Sequence, residues 1–284
     1  MSKVGIVTDS TNCLPAELIK KYDIRIVPCN LAIDGKAYLD QVDITPDEFW
    51  RLFKEAKNTP TTGAISPGAF TSAFTELSKS TDSIVCILLP KALSAINEIA
   101  VNAAEMVKAE HPGLDIEVID SKTSGGALGF VVLEAARAAQ EGKSLAEVIQ
   151  LVQEMIPKVK LFITLDTLKY LIKIGRAPKT AYVGELLQVK PIIGIVNGTG
   201  LVDALGKVRG KRKAMAKLVD MVKDYADTSK PLHVMVHYTD SIEDGKALRD
   251  MVTSCYSCAE VYLTPYTPVM ASATGPVVSL SFYS

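Results

Sequence analysis

"KVGIVTDSTNCLPAELIKKYDIRIV", Lys3–Val27, sets the fold. An apolar run, "KVGIVTD", ends in small polar residues, and "LPAELIKKY" follows at helical spacing with Pro15 near its first turn. "IRIVPCNLAID" is then extended again. Strand, helix and strand in immediate succession are the unit from which parallel sheets are built.

The same alternation continues outward. "PDEFWRLFKEA" and "SPGAFTSAFTELSKS" read as helices, the second opening near Ser66 and Pro67. "SIVCILLP" reads as a strand, the segment from Ser94 to "MVKAEH" as a helix, and "DIEVIDS" as a strand. Helices through "GFVVLEAARAAQEG" and "SLAEVIQLVQEMIPKV" lead to the strand "KLFITLD". Beyond about residue 165 the pattern changes. "DTLKYLIKIGR" is a short helix ending in glycine, and "KPIIGIVNGTGLVDALGKVR" reads as two strands joined at Asn197-Gly198. A basic helix, the strand "LHVMVHYTD", the helix "SIEDGKALRDMVTSC", and the strands "AEVYLTPYT" and "VVSLSFYS" complete the chain. The expectation is an α/β protein of two α/β domains, 1–163 and 164–284, the first with a largely parallel sheet and the second with a mixed one.

Composition excludes several classes. The 284 residues are 48% hydrophobic, enough for a sizeable core, and the formal net charge of −1 supplies no field for nucleic acid or a membrane surface. Five scattered cysteines suit a reducing compartment better than a disulfide framework. With no apolar run of membrane-spanning length and a start that reads straight into a strand, the expected location is cytoplasmic.

Familiar motifs weigh little here. "GTGLVD" lacks the third glycine and opening helix of a dinucleotide loop, so it reads as a hairpin turn. "CYSC" has no second ligand pair for zinc and follows a helix where a redox motif would begin one. His111, His233 and His237 are too separated for a metal cage; the last two share one strand face and read as structural. The basic run Lys207, Arg209, Lys211, Arg212 and Lys213 reads first as a solvated helix start, with an acidic partner or a phosphate as the alternative. No cofactor or metal is implied.

What remains is a set of small-residue turns at the carboxyl ends of expected strands, where open α/β sheets bind ligands: "TDSTN", "PTTGAISPG", "LPKALSA" and "DSKTSGG", which contains Ser121. Hydroxyls and helix-start amides together suit an anion such as a carboxylate or phosphate. Each hydroxyl taken singly also reads as a helix cap.

These turns, with "IVTDST", "SPGAF", "LKYLIKIGRA", "KPIIGI", "KVRGKRKA" and the tail "ATGPV", occur in the order found in the DegV family, which the chain resembles over essentially its whole length. The resemblance implies two α/β domains with a ligand between them. It also implies a non-enzymatic fatty-acid-binding subunit that holds a long-chain fatty acid in a buried tunnel while a separate fatty acid kinase subunit phosphorylates the carboxylate. Carried over by position, Thr62 and Ser94 touch the carboxylate, with Ser121, Thr274 and Gly275 also at the ligand. Arg176, and Arg209 in the basic run, serve the kinase and phosphotransfer. The chain departs from the family pattern at Ala273, where a histidine is usual, so the headgroup end is less polar and its binding is expected to vary little with pH near neutrality.

Two physical points support such a site. Hydroxyls and amides orient a carboxylate without the neutralisation an Arg or Lys ion pair would bring. Each buried methylene contributes about 0.8 kcal/mol, which only an interior tunnel realises. "GFVVLEAARAA" and "VGELLQVKPIIGIV" would look the same around a tunnel or a dry core. The alternatives are a lipid-acting serine hydrolase or acyltransferase using Ser94, which lacks a G-x-S-x-G elbow and an evident histidine base, and a lipid or small-anion sensor without a kinase.

Overall fold

The computed structural model describes residues 4–179 and 188–284. The elements are β1 (Gly5–Asp9), α1 (Ala16–Tyr22), β2 (Arg25–Val27), β3 (Asn30–Ile33), β4 (Lys36–Leu39), α2 (Pro46–Glu55), β5 (Thr61–Gly63) and α3 (Pro67–Leu77). There follow β6 (Ser83–Leu88), α4 (Ile96–Glu110), β7 (Asp115–Asp120), α5 (Gly125–Gln140), α6 (Leu145–Met155), β8 (Lys160–Leu165) and α7 (Lys169–Lys173). The chain ends with β9 (Val189–Ile195), β10 (Asp203–Arg209), α8 (Lys211–Met221), β11 (Leu232–Tyr238), α9 (Ile242–Cys255), β12 (Cys258–Pro265), α10 (Pro268–Thr274) and β13 (Val277–Tyr283). Local chemistry sets several boundaries. Thr45 with Glu48, and Ser144 with Glu147, form capping boxes that satisfy orphan amides at the starts of α2 and α6.

The first sheet has the order β2-β1-β6-β7, every pair parallel. The second has the order β10-β9-β8-β13-β11-β12; β11 and β12 are parallel and the other pairs antiparallel. The parallel and mixed sheets of the α/β expectation are thus both present. A third sheet, β4-β3-β5, is small and antiparallel. Nothing in the local pattern marks β5, whose three residues are all exposed.

α5 joins the two large sheets. It packs on β1 and β6 and also on β8, β11 and β13, which is why it is apolar on nearly every face. A β-carbon at Gly129 would stand 2.6 Å from the Asn12 carbonyl oxygen, so only glycine lets the helix approach the turn after β1. α5 therefore belongs to the core, and no residue of "GFVVLEAARAA" lines the cavity described below. The six-stranded sheet buries both faces with period two. Leu161, Ile163, Ile193 and Met235 enter the core shared with α5, whereas Phe162, Ile192, Val234 and Phe282 pack among the residues of α8 and α9.

Three details differ from expectation. The β9–β10 hairpin turns through the longer connection 196–202 rather than at Asn197-Gly198 alone, since the paired residues stop at Gly194 and Asp203. The 163/164 boundary falls inside β8, a single strand of the second sheet. The helix α10 was not foreseen, although Pro268 after Thr267 is a usual helix start.

Candidate functional site

A cavity of about 330 Å³ lies where the two halves of the chain meet. Leu89 and Leu93 beyond β6, Ile163 on β8, Leu171 on α7, Ile193 on β9 and Met270 on α10 supply much of its apolar wall. Its polar lining is Thr11, Thr62, Ser94, Ser124, Arg176 and Thr274. The carboxyl ends of β1 and β6 open toward it, as expected for a parallel sheet.

Thr62 is placed by β5, where it pairs with Leu31 of β3, and Asn30 Nδ2 donates to the Ala64 carbonyl at 2.6 Å to fix the strand's exit. Ser94 sits in a turn whose amides at Leu93 and Ser94 both donate to the Pro90 carbonyl. Its Oγ accepts from the Ile96 N–H at 3.3 Å, so its own hydrogen is left to donate. Asn97 Nδ2 donates to the Leu89 carbonyl at 2.8 Å and anchors the segment between.

Gly175 stands just past α7 with a φ of +69°, and the Arg176 N–H closes back on the Leu171 carbonyl at 2.8 Å. The Arg176 side chain is exposed, yet its Nε donates to the Leu93 carbonyl at 2.5 Å and Nη1 to the Ile174 carbonyl at 3.3 Å. α10 brings Ala273 and Thr274 to the cavity, and Gly275 ends it at φ +68°. A β-carbon at Gly275 would overlap the ring of Tyr170 on α7, so the two short helices bordering the cavity meet at this glycine.

The structure thus brings Thr62, Ser94, Arg176 and Thr274 to one cavity, with Ala273 beside them. Thr274 gives its hydroxyl hydrogen to the Met270 carbonyl at 2.9 Å and presents only lone pairs to an incoming anion. Ser121 is buried, donates to the Thr123 carbonyl at 2.8 Å and is not among the lining residues. Gly275 is not among the lining residues. Arg209 lies at the end of β10, exposed, with its Nε on Gln188 Oε1 at 3.4 Å, away from the lining. Of "VGELLQVKPIIGIV", Ile193, Gly194 and Ile195 line the cavity and 183–187 lie outside the described residues.

The sequence reading passed over Cys29, Val269 and Met270, all in the lining. It also passed over two carboxyls behind the wall. Asp9 accepts from the Thr11 N–H at 2.8 Å, the Thr11 hydroxyl at 2.5 Å and the Leu89 N–H at 2.8 Å; burial still raises it above the ordinary carboxylate range against these bonds. Burial lifts Asp40 further, to about 7. His237 is buried with Nε2 bonded to the Cys13 carbonyl at 3.0 Å, and burial pushes it down to about 4. It neither lines the cavity nor titrates near neutrality.

The remaining signals resolve locally. His233 Nδ1 lies 2.7 Å from Glu260, inside a network with Arg137 and Tyr262. Cys255 and Cys258 are free thiols. Lys211 pairs with Asp244. Among the described residues, no group of His, Cys, Asp and Glu is arranged to hold a metal, and no helix is long and apolar enough to cross a membrane.

The fold and site define a class: α/β proteins of two large sheets with a largely apolar cavity edged by hydroxyls where the two halves meet. The family described as "Uncharacterised protein, DegV family" matches residues 3–284, and the chain belongs to the DegV family. It is 39% identical over 244 residues to the DegV domain-containing protein TTE1491 of Caldanaerobacter subterraneus subsp. tengcongensis, covering 86% of this chain and 85% of that one. Among solved structures, it is similar to a DegV family protein from Thermus thermophilus described by its fatty acid binding, with a TM-score of 0.90 and 29% identity over all of both chains. It is also similar to a stearic acid-binding protein from Eubacterium ventriosum, with a TM-score of 0.90 and 27% identity, covering 100% of this chain and 98% of the other.

Proposed function

We propose that this chain holds a long-chain fatty acid in the cavity and presents its carboxylate to a separate kinase subunit for conversion to an acyl phosphate, with no chemistry of its own. The observation that carries this reading is the meeting of Thr62, Ser94 and Arg176 at one apolar cavity. Hydroxyl donors hold the carboxylate while leaving charge on its attacking oxygen. The wall supplies affinity: roughly fifteen methylenes at about 0.8 kcal/mol each give on the order of 12 kcal/mol of gross transfer energy. The fatty-acid-binding neighbours from Thermus and Eubacterium support the ligand class.

Two points disfavour the hydrolase. Among the described residues no histidine lines the cavity, and the Ser94 hydroxyl is bonded to the Ile96 N–H and not to a base. Arg176 and Arg209 are assigned to the kinase side. We place the activity in the cytosol, where five free cysteines remain reduced. We place the division between the two units before Lys160, in the turn after α6, so that β8 stays whole.

The test is reconstitution. Delipidated protein reloaded with a defined fatty acid is expected to yield acyl phosphate only when a bacterial fatty acid kinase subunit and ATP are added. Release of product from a chromogenic ester without kinase, lost in Ser94→Ala, would replace this reading with the hydrolase.

A further inference from the structure

Two carboxyls stand directly behind the cavity wall. Asp40 follows β4 and is 1% exposed. Its N–H donates to the Cys29 carbonyl at 2.9 Å and its Oδ1 accepts from the Val269 N–H at 3.1 Å. Cys29 and Val269 both line the cavity, so Asp40 is bonded to two residues of the wall. Asp9 stands in the same relation to Thr11, which lines the cavity while donating both N–H and hydroxyl to it.

The two are satisfied unequally. Asp9 takes three donors, whereas Asp40 Oδ2 is buried without a bonding partner; the hydroxyls of Ser10 and Thr267 face this carboxyl. The titratable groups facing Asp40 are Asp9 at the end of β1, Cys13 beyond it and Cys29 before β3. Burial pushes the Cys13 thiol up to about 12 and Cys29 well above its usual range, so both are neutral. Among the described residues no cation is recorded against Asp40. An anion entering the cavity therefore adds negative charge close to these two carboxyls beside a wall of low dielectric, where it disfavours their ionised forms.

We propose that binding of a fatty acid anion in this cavity is coupled to proton uptake by Asp40. The inference rests on the fatty acid reading above. The proton comes from solvent and forms an O–H bond at Oδ2, which then donates to the hydroxyl oxygen of Thr267 or Ser10 while that hydroxyl turns its own hydrogen away. Oδ1 keeps the Val269 N–H. Burial has already lifted Asp40 to about 7, so a nearby anion moves its proton binding within the neutral range. Reciprocity fixes the sign: a ligand that raises the Asp40 pKa binds more weakly as pH climbs between the free and bound values. Below the free value the affinity is flat.

Isothermal titration of delipidated full-length protein tests this, with laurate and with dodecane sulfonate, which stays charged throughout. Comparing phosphate with Tris at about pH 7.5 reads protons taken up per ligand. Expected are about half a proton for both ligands, none in Asp40→Asn, and a wild-type affinity that falls by up to about fivefold from pH 7 to 8 while the variant's holds. The wild-type buffer comparison stands without any variant. Zero uptake in wild type, uptake that persists in Asp40→Asn, or uptake with laurate alone overturns the inference and leaves the fatty acid reading intact. Failure of both ligands to bind overturns the two together.

Discussion

Arg176 and Leu93 are joined across the cavity, 83 residues apart: the guanidinium Nε donates to the Leu93 carbonyl at 2.5 Å. Leu93 precedes Ser94, so the bond ties the end of α7 to the turn that carries a headgroup hydroxyl. In Arg176→Ala, bound fatty acid is expected to exchange roughly fivefold faster, as for loss of one hydrogen bond of about 1 kcal/mol. Entry and exit both accelerate, so equilibrium lipid content changes little, while phosphorylation by the kinase falls. Stopped-flow release of a fluorescent fatty acid checks the first part. An unchanged release rate would leave Arg176 with only the partner role.

Thr62→Ala and Ser94→Ala each remove a donor to a charged group. Affinity for a long-chain fatty acid is expected to fall by about 1.5 kcal/mol in each, the low end for such bonds because Thr62 is exposed. Competitive displacement of a fluorescent acyl probe measures it. Unchanged affinity in both would remove the headgroup from this end of the cavity.

Gly275→Ala meets two obstacles, a φ of +68° and the Tyr170 ring. A destabilisation of about 2–4 kcal/mol is expected, combining backbone strain with overpacking. Tyr170→Ala removes the second obstacle and not the first. In a denaturation cycle, the double mutant should therefore be more stable than the sum of the single effects by about 1 kcal/mol or more. Strict additivity would separate α7 from α10.

Much of this was legible in the chain. Both parallel and mixed sheets follow from apolar runs alternating with helical periods, and Thr62 and Ser94 fall in turns that the same reading places at strand ends, while Arg176 follows a short helix and was singled out only by the family resemblance. What escaped is long-range. Asp40 sits in "YLDQVD" with no local sign of its partner Val269, 229 residues away. β5 is three exposed residues whose strand identity comes only from β3. The expectation of a flat pH response rests on Ala273 replacing an imidazole; the burial that raises Asp40 is invisible in the sequence.

Stability carries the same carboxyl's signature. The Asp40 pKa lies above its ordinary 3.8, at about 7, so the folded state binds more protons than the unfolded chain across that window. Its contribution is fully present below about pH 4 and is lost as pH rises to about 7. Asp40→Asn cannot titrate. Between about pH 5 and 8, wild type should lose roughly 2 to 3 kcal/mol relative to the variant. Urea denaturation at both pH values checks this, and parallel profiles would show that Asp40 is ionised without cost.

Native mass spectrometry of the protein as purified tests the central claim most directly. The account predicts an added mass equal to one long-chain fatty acid per chain, lost on delipidation and restored by adding the free acid. Protein that carries no such mass, and gains none when a long-chain fatty acid is supplied, would contradict it.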